Sequence, residues 1–412
     1  MTTSTQRRTC RLCDSPNLDL AVPIKPSPVA DAYVPADRLG DKQELYPLDL
    51  YLCGDCGHVQ LLEVVDPQIL FGNYIYTTSI SLGLVEHFRN YADQIIHRCP
   101  CPANSLAVDI GSNDGTLLKF FQAHGLSVLG IDPATQIANQ AAQAGVPTIP
   151  AFFNLELAQR IRQEHGPAAI VTANNVFAHS DNLPDMTEGI HQLLAGDGVF
   201  VFEVSYLADI LEKKLFDTVY HEHLCYHSLK PLAAFFNRHG LEFFDIERLP
   251  NKGGSIRGLV QRKGGPRPVA PVVAEMLRME EGIGLARLPI FKEFAADLER
   301  VKNGLRHLLL RLKSDNKRIA GFGASATVTT LIYNFELGEF LSFLVDDNVS
   351  RHGLFSPGLH LPVFPAAALF DQEADYTVVL AWQYAQPILK KNQAFTARGG
   401  RFIVPLPEVK MI

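Results

Sequence analysis

Four of the seven cysteines form two identical Cys-x-x-Cys pairs, and this spacing constrains the N-terminal part of the chain most strongly. A two-residue spacer lets one tight turn direct two thiolates at one ion, and four soft sulfur ligands suit tetrahedral zinc. The pairs are separated by 39 residues, so the intervening segment must fold out as an insertion. We therefore predict a small domain over residues 1–72 that a structural zinc ion holds together, with ligands Cys10, Cys13, Cys53 and Cys56.

Other residues near the pairs leave alternatives open. His58 follows the second pair and can serve as a substitute ligand, whereas two chance pairs of buried cysteines would need no metal. Cys99 and Cys101 flank a proline just before a predicted strand, and we expect them to pack rather than to bind metal. Cys225 is expected to be a small buried residue.

Charge and composition exclude several classes of protein. The chain has 412 residues and a formal net charge of −7, which argues against a nucleic-acid partner bound through a broad cationic surface. No stretch approaches the roughly 18–20 apolar residues of a membrane span, and the N-terminus lacks the apolar run of a signal peptide. An odd number of cysteines disfavours a disulfide framework. We expect a soluble, cytoplasmic protein without a membrane partner, and a monomer, with an oligomer left open.

From about residue 105 onwards, strand-like and helix-like segments alternate. SLAVDIG, SVLGIDP, PAAIVTANN and GDGVFVFEV read as buried strands, and helical patterns separate several of them. This rhythm predicts an α/β protein with a doubly wound Rossmann-like sheet over residues 73–267. A helical segment is predicted over 268–313, and the alternation then restarts, which predicts a second, smaller Rossmann-like domain over 314–412.

The first predicted strand ends in a glycine loop, Asp109-Ile-Gly111-Ser-Asn-Asp-Gly115, and a helix follows at once. Glycines at these positions let the backbone approach a ligand closely, and the helix N-terminus offers free N–H groups. The spacing is not the Gly-x-Gly-x-x-Gly of dinucleotide sites. It is the loop that S-adenosylmethionine-dependent methyltransferases use at this place, although alone it is a weak signal.

Polar residues on later strands strengthen that signal. Asp132 ends the second strand, 23 residues after Asp109, where an acid can accept hydrogen bonds from both ribose hydroxyls. Asn174 and Asn175 end the strand PAAIVTANN and would face the same crevice. This order favours a methyl donor over NAD or a ligand-free fold. The predicted cofactor-binding residues are Asp109, Gly111, Asn113, Gly115, Asp132, Asn174 and Asn175.

A second glycine loop follows the first strand of the C-terminal unit and precedes a helix. Its backbone amides and two hydroxyls can cradle a phosphate or diphosphate, with Gly321, Gly323, Ser325 and Thr327 as the candidate substrate-binding residues. The loop has no Walker lysine, and no obvious acid indicates a redox cofactor. A purely structural turn is an equal alternative.

The chemistry concentrates in one segment, Phe216-Asp-Thr-Val-Tyr220-His221-Glu222-His223-Leu-Cys-Tyr226-His227. General acid–base catalysis needs an imidazole near neutral pKa, a carboxylate that orients it and a phenol that holds a substrate oxygen. A His-x-His metal site and an exposed polar loop are the alternatives. The histidines, tyrosines and glutamate of this segment are candidates for that chemistry, His179 would point into the same cleft, and Tyr74 and Tyr76 could cap it.

The whole pattern resembles the nucleotide-sugar C-methyltransferases that make branched deoxysugars. The resemblance rests on FDTVYHEHLCYHSL, GGSIRG, GFGASAT and VDDNVSRHGLFSPGLHLPV and covers nearly the whole chain. It implies three domains: an N-terminal zinc domain, a methyltransferase core that binds S-adenosylmethionine, and a C-terminal Rossmann-like domain. It also implies a dTDP-linked 4-keto-deoxyhexose as substrate, methylated at C3, or at C5 in some members.

The same resemblance implies roles for individual residues. His223 would remove the proton α to the ketone, and the resulting enolate carbon would take the methyl group. Glu222 and Tyr220 would orient and polarise, while His179 and either Tyr74 or Tyr76 would contact the sugar. Two alternatives stay open: a methyltransferase that acts on a sugar hydroxyl, and a non-catalytic protein that binds nucleotide sugars.

Overall fold

The computed structural model describes residues 3–71, 77–80 and 83–412. The N-terminal region forms β1 (Ser4–Gln6), β2 (Leu18–Val22), β3 (Leu50–Cys53), β4 (Val59–Leu61), β5 (Glu63–Val65) and α1 (Pro67–Phe71). Strands β2, β3 and β4 make an antiparallel sheet, and β1 pairs separately with β5. The insertion between the two cysteine pairs therefore supplies β2 and most of β3 to this sheet.

The central region alternates strands and helices in the predicted order. It contains α2 (Leu84–Arg98), β6 (Leu106–Ile110), α3 (Thr116–Ala123), β7 (Ser127–Ile131), α4 (Thr135–Gln143), β8 (Thr148–Ile149), α5 (Leu155–His165), β9 (Ala168–Asn174), α6 (Leu183–Leu193), β10 (Leu194–Ser205), α7 (Leu207–Lys213), β11 (Cys225–Tyr226), α8 (Leu229–Arg238), β12 (Leu241–Leu249) and β13 (Ser255–Arg262). Local sequence sets several boundaries. Asn154 caps α5 by accepting the Leu157 N–H, and Pro184 stands in the first turn of α6, where no backbone N–H is needed.

Seven of these strands form one sheet in the order β12-β13-β10-β9-β6-β7-β8. The neighbours from β10 to β8 are parallel, and β13 and β12 extend the sheet in antiparallel fashion. The chain begins in the middle at β6, runs outwards through β7 and β8, and then returns to continue through β9 and β10. Open α/β sheets bind ligands at such a reversal, outside the carboxyl ends of the strands. The predicted doubly wound core is confirmed.

An aromatic cluster fills one face of this sheet. Phe200 and Phe202 on β10 are fully buried, and they pack with Phe177 and Phe236 at ring-centroid distances of 5.4 to 6.2 Å. Each ring removes a large apolar area from water, which makes this cluster a main anchor for β10. Because β10 pairs with β9, the cluster also stabilises the strands whose carboxyl ends border the expected ligand crevice.

The segment predicted as helical over 268–313 consists of two helices, α9 (Pro271–Ile283) and α10 (Leu288–Ser314). Gly284 ends α9 in the left-handed conformation, with φ 73°. A new helix then starts with Pro289 in its first turn. Helix α10 packs against β2, so it connects the central region to the zinc region as well as to the C-terminal domain.

The C-terminal region is a second α/β unit. It contains β14 (Ile319–Phe322), α11 (Ala326–Asn334), β15 (Phe343–Val345), β16 (Val363–Phe364), α12 (Ala368–Asp371), β17 (Tyr376–Val379), α13 (Ala385–Lys391), α14 (Gln393–Ala397), β18 (Arg401–Val404) and β19 (Lys410–Met411). The sheet order is β16-β15-β14-β17-β18-β19, parallel except for β19. It is doubly wound like the central sheet, as predicted, while the proposed domain bounds stay predictions. No helix in the described ranges is long and apolar enough to cross a membrane.

Candidate active site

The sulfur atoms of the two cysteine pairs meet in the folded N-terminal region. They all lie within 4.8 Å of one another, and the pairs Cys10–Cys56 and Cys13–Cys53 are 3.6 and 3.5 Å apart. With Zn–S bonds of about 2.3 Å, a tetrahedral site places its sulfurs roughly 3.8 Å apart. The four thiols therefore fit one zinc ion. The ion would join the two cysteine pairs that lie on either side of the insertion.

His58 lies outside this sulfur cluster. Its buried ring stacks on that of His227 at 5.5 Å, and neither ring nitrogen has a hydrogen-bond partner among the described residues. Burial lowers the pKa of His58, which keeps the ring neutral. The geometry thus favours a four-cysteine site over one that uses His58, and Cys99 and Cys101 are likewise outside the cluster.

A buried arginine fastens the zinc region to the central domain. Arg11 is fully buried, and its Nε donates to Asp181 Oδ1 at 3.0 Å. Arg7 Nη1 donates to the backbone oxygen of Asp181 at 2.9 Å. A buried guanidinium is costly without such partners. The contact places Asp181 between the zinc region and the ligand cavity described below.

The glycine loop after β6 has the backbone that its sequence predicts. Gly111 and Gly115 adopt φ 73° and 74°, a region that favours glycine. A Cβ on Gly111 would lie 2.3 Å from Val176 Cγ2, so the loop passes too close to the chain after β9 for any side chain. Gly115 directly precedes α3. The loop therefore brings backbone and a helix N-terminus to the switch point of the sheet.

Two polar side chains at this loop fit the methyl donor. Asp132 accepts hydrogen bonds from the N–H groups of Asn113 and Ala134, both at 2.9 Å, which fixes its carboxylate while leaving lone pairs for ribose hydroxyls. Both amide atoms of Asn174, at the end of β9, are buried without a hydrogen bond of standard geometry among the described residues, although the Tyr91 hydroxyl lies near its side chain. Buried polar atoms are normally satisfied, so these two fit a polar ligand that would complete them.

Asp109 and Asn175 occupy different environments. Asp109 is buried and accepts a hydrogen bond from Thr172 Oγ1 at 2.6 Å, and burial raises the pKa of its carboxyl to about 7. Asn175 has a left-handed backbone, with φ 56°, and its N–H donates to the Glu203 backbone carbonyl oxygen at 2.7 Å. Asp109 thus lies at the floor of the crevice, whereas Asn175 turns the chain out of β9.

A cavity of about 330 Å³ joins the glycine loop to the histidine-rich segment. It lies outside the carboxyl ends of β6 and β9, where the sheet topology predicts a ligand. Its lining includes the predicted residues Asp109, Gly111, Asn113, Asp132, Asn174, Asn175, His179, Tyr220, Glu222 and His223. Gly115 is close by at the start of α3 but is not part of this lining. Tyr74 and Tyr76 lie outside the described residues.

His223 is a buried, neutral histidine on the cavity wall. Its Nδ1 is 2.8 Å from the Thr218 carbonyl oxygen, which only accepts, so this nitrogen carries the proton and donates. The second nitrogen, Nε2, is then free to accept a proton in the cavity. Burial lowers the pKa of His223 to about 4, so the ring stays neutral at physiological pH. The fixed tautomer and the position in the cavity suit a general base, whereas the pKa of about 4 lies below the near-neutral value that the sequence leads us to expect.

Aromatic rings pack on both sides of His223. The His179 ring stacks on it at 5.2 Å, and the Tyr220 ring lies 4.1 Å away. The His179 ring also stacks on Phe71 at 5.7 Å, and its Nε2 is buried without a hydrogen-bond partner in the described part of the chain. His179 therefore braces His223 and offers a nitrogen that a substrate can satisfy.

Glu222 is a buried acid on the cavity wall. Burial and, to a smaller extent, the Asp31 carboxylate raise its pKa to about 8, against the opposing effect of Lys252. Glu222 is therefore mainly protonated at neutral pH. Instead of orienting a histidine as a carboxylate, which sequence reasoning expects, it can donate a hydrogen bond to a substrate oxygen.

The other histidines of the motif point elsewhere. His221 Nε2 bonds to the Tyr46 carbonyl oxygen at 3.2 Å, and His227 Nε2 lies 3.4 Å from the Phe177 carbonyl oxygen. Both rings are buried outside the cavity lining. In the described residues, the cysteine set alone has metal-site geometry. The His-x-His metal alternative is therefore wrong for this segment.

The C-terminal glycine loop is separate from this cavity. Gly321 lies within β14, where a Cβ would approach Leu380 and Leu344 to 2.5 and 2.7 Å, so this position serves sheet packing. Gly323 has φ 124°, and Ser325 Oγ lies 3.0 Å from Thr327 Oγ1 at the start of α11. These three residues border the switch point of the second sheet.

Sequence reasoning missed an acid at this second switch point. Asp346 follows β15, and its Oδ2 accepts the Ala324 N–H at 2.5 Å. It stands where doubly wound folds place the acid that binds a ribose. The expectation that no acid accompanies the loop is therefore wrong. The Asp-Asp-Asn run directly after a predicted strand was the available signal.

Sequence reasoning also missed Lys252 and the network beneath it. Lys252 lines the cavity with Glu222 and His223. Nearby, buried Glu203 accepts from Arg257 Nε at 2.7 Å and lies 2.8 Å from His87 Nε2. The sequence gives GGSIRG only as part of the resemblance, because nothing in this stretch indicates which residues Lys252 and Arg257 meet in the fold.

Family models match three successive stretches of the chain. A zinc binding domain matches residues 10–71, a methyltransferase domain matches 84–245, and a C-methyltransferase C-terminal domain matches 250–407. Their order is the order of the zinc region, the central sheet and the second α/β unit.

A curated relative matches almost the entire chain. C-methyltransferase NovU of Streptomyces niveus is 35% identical over 409 residues, which cover 98% of this chain and 96% of the relative. Among solved structures, magnesium protoporphyrin IX methyltransferase (ChlM) from Synechocystis PCC 6803 with bound S-adenosylmethionine covers 44% of this chain and 80% of its own, with 14% identity and a TM-score of 0.33. An S-adenosylmethionine-dependent methyltransferase from Clostridium acetobutylicum covers 44% and 96%, with 13% identity and a TM-score of 0.35. These two structural likenesses are too weak to carry an argument.

Proposed function

The chain belongs to the family of S-adenosylmethionine-dependent C-methyltransferases, and we propose that its substrate is a nucleotide-linked 4-keto-deoxysugar methylated at C3. The nucleotide we expect is dTDP. The enzyme is proposed to be a cytoplasmic monomer, a state that stays a prediction.

One observation carries this proposal. The cavity that meets the methyl-donor loop also contains His223, whose bound Nδ1–H leaves Nε2 as a proton acceptor. A carbon atom becomes a nucleophile only when a base removes its proton, and a neighbouring ketone makes that proton acidic. A neutral imidazole beside neutral hydrogen-bond donors suits this reaction.

The residues of the cavity divide the work. His223 takes the proton α to the ketone, and Tyr220 and neutral Glu222 donate hydrogen bonds to the ketone oxygen as it becomes an enolate. His179, with Tyr74 or Tyr76, contacts the sugar. The methyl donor is held by Asp109, Gly111, Asn113, Gly115, Asp132, Asn174 and Asn175. Bound S-adenosylmethionine supplies an electrophilic methyl group to the carbon nucleophile.

The C-terminal loop completes the substrate site in this proposal. Gly323, Ser325 and Thr327 would meet the diphosphate with backbone amides and hydroxyls at the start of α11, while Gly321 keeps the strand packed. The chain has a formal net charge of −7, which does not favour an anionic ligand. We therefore expect local backbone amides, rather than a broad cationic surface, to bind the diphosphate.

The test combines exchange with product analysis. In D2O without methyl donor, the purified enzyme should introduce deuterium α to the ketone of dTDP-4-keto-6-deoxyglucose or its 2-deoxy counterpart. His223→Asn keeps a donor for the Thr218 carbonyl but lacks Nε2, so exchange should fall by about 100-fold or more. His221→Gln keeps its own contact to Tyr46 and should exchange normally. Unchanged exchange in His223→Asn would refute His223 as the base.

Sugar O-methylation is the second candidate, because a base and a sugar site would serve it as well. With a 13C-methyl donor, NMR distinguishes a methyl group on carbon from an O-methyl group. A C-methyl signal at C3 supports our proposal. A C-methyl signal at C5 supports C-methylation but contradicts the proposed position, and an O-methyl signal contradicts C-methylation itself.

A further inference from the structure

Lys252 has an unusual backbone for a lysine. It stands in the short 3-10 turn Asn251–Gly253 with φ 52° and ψ 34°, the left-handed region that disfavours residues with a Cβ. Such a conformation persists only where surrounding structure imposes it, and it is concentrated at functional sites.

The turn is fixed on several sides. Asn251 Nδ2 donates to buried Glu203 Oε2 at 3.2 Å, and the Gly254 carbonyl accepts the Tyr206 N–H at 3.2 Å. A Cβ on Gly254 would lie 2.3 Å from Asp209 Cγ, and one on Gly253 would lie 2.8 Å from Leu215 Cδ1. The two glycines let the turn lie flat against the domain, so the backbone at Lys252 has little freedom.

This turn places Lys252 on the wall of the ligand cavity with Tyr220, Glu222 and His223. Among the described lining residues, it is the one lysine or arginine. Its positive charge acts on three neighbours: after burial, it is a further cause of the low pKa of His179 and of His223, and it lowers the pKa of Glu222. The charge is therefore close to the base and to the proposed hydrogen-bond donors.

Nearby acids offset this charge only in part, although Glu203 and Glu222 both raise the pKa of Lys252. Glu203 is engaged by Arg257 at Oε1 and by His87 at Oε2, and Glu222 is mainly protonated at neutral pH. Desolvation also lowers the pKa of Lys252 itself. A cation without a dedicated counter-ion beside a general base is suited to a negative charge that forms on the substrate.

We propose that Lys252 is a catalytic residue whose ammonium group stabilises the enolate oxygen formed from the substrate ketone. This inference rests on the proposed function. In the step it serves, the α C–H bond breaks and its proton passes to His223 Nε2. The electron pair forms a carbon–carbon double bond, and the carbonyl π pair moves to oxygen, where the negative charge meets Lys252.

Deuterium exchange without methyl donor tests this step directly. Lys252→Met keeps the length of the side chain and removes its charge, and Lys252→Arg restores a cation. Relative to the native enzyme, exchange should slow by about 100-fold in the methionine variant and only by about 10-fold in the arginine variant. The dissociation constant for S-adenosylmethionine, measured by calorimetry, should stay within about threefold in both.

Lys213→Met is the matched control, because Lys213 Nζ donates to the Gly253 carbonyl at 2.6 Å from outside the cavity. Its exchange rate should stay near that of the native enzyme. An equal loss in this variant would assign the effect to the turn and overturn the proposal. Normal exchange in Lys252→Met, or an arginine variant as slow as the methionine variant, would also overturn it.

The outcome separates this proposal from the function on which it rests. If the native enzyme neither exchanges nor methylates the 4-keto sugars, the proposed function fails. If it does both while Lys252→Met exchanges normally, the function stands and Lys252 has no part in the proton transfer.

Discussion

Glu222 shows how burial changes the chemistry that a residue offers. Its position between two histidines in the sequence suggests a carboxylate that orients an imidazole. In the folded chain burial raises its pKa to about 8, so it is an acid with a proton to donate. A donor lowers the energy of a developing enolate, whereas a carboxylate would repel it.

This assignment predicts the pH dependence of the exchange reaction. With His223 neutral above about pH 4 and Glu222 protonated below about pH 8, exchange should be fast between these values and fall above pH 8. The groups that face Glu222 are Asp31, which raises its pKa, and Lys252, which lowers it. Glu222→Gln keeps a donor that cannot ionise, so its alkaline fall should move upwards or vanish. A profile identical to that of the native enzyme would contradict this role.

At the scale of elements, a two-residue strand links the zinc region to the catalytic segment. Strand β11, just after His223, pairs with β4 through Cys225 with Gln60 and Tyr226 with Val59. The sheet that contains β4 also contains Cys53 on β3. The zinc site therefore stabilises the sheet on which the segment after the base is hydrogen-bonded.

We accordingly expect zinc loss to impair proton transfer more than methyl-donor binding. Cys56→Ser should lose zinc, measured by elemental analysis, and slow exchange by at least about 10-fold, because a displaced base loses alignment. Affinity for S-adenosylmethionine should stay within about threefold, since its loop belongs to the central sheet. Cys101→Ser, outside the sulfur cluster, should retain zinc and rate. Normal exchange in a zinc-free variant would contradict the proposal that the zinc site helps to align His223.

At the scale of the whole molecule, the C-terminal domain contacts residues 216–219, the segment just before the proposed base His223. Thr330 Oγ1 donates to the Val219 carbonyl at 2.7 Å, and Trp382 Nε1 donates to buried Asp217 at 2.9 Å. The rings of Phe216 and Phe335 stack at 4.9 Å. These contacts surround Thr218, whose carbonyl fixes His223. The domain that we expect to hold the nucleotide thus also positions His223, the proposed base.

Variants of two adjacent threonines can distinguish the effect of the C-terminal domain on His223 from an effect on overall stability. Thr330→Val removes the bond to Val219, while Thr329→Val removes an equal bond, 2.7 Å long, to the Ala30 carbonyl in the zinc region. Each should lower the free energy of unfolding by about 1–3 kcal/mol, measured by denaturation. The exchange kcat should fall by about 10-fold only in Thr330→Val, with KM little changed. Equal kcat losses in both would leave stability as the common cause.

Much of the molecule could be predicted from local sequence. The Cys-x-x-Cys pairs, the glycine loop with Asp132 and the alternation of strands and helices each depend on spacing or periodicity within a short stretch, because metal knuckles, tight turns and amphipathic elements are local. His223, Glu222 and Tyr220 were also identified, through motif resemblance rather than physics. They line the same cavity as the methyl-donor loop, which lies at the carboxyl ends of β6 and β9.

The tertiary structure alone decided the rest. It separates His223 in the cavity from His221 and His227 outside it, because each ring bonds a carbonyl from a different part of the chain. It gives Glu222 its proton, since desolvation depends on everything packed around the carboxyl. It also brings Lys252 to the cavity through a turn fixed by Glu203, which is distant in sequence. Local spacing encodes ligands and turns, whereas ionisation and catalytic alignment depend on contacts between distant segments.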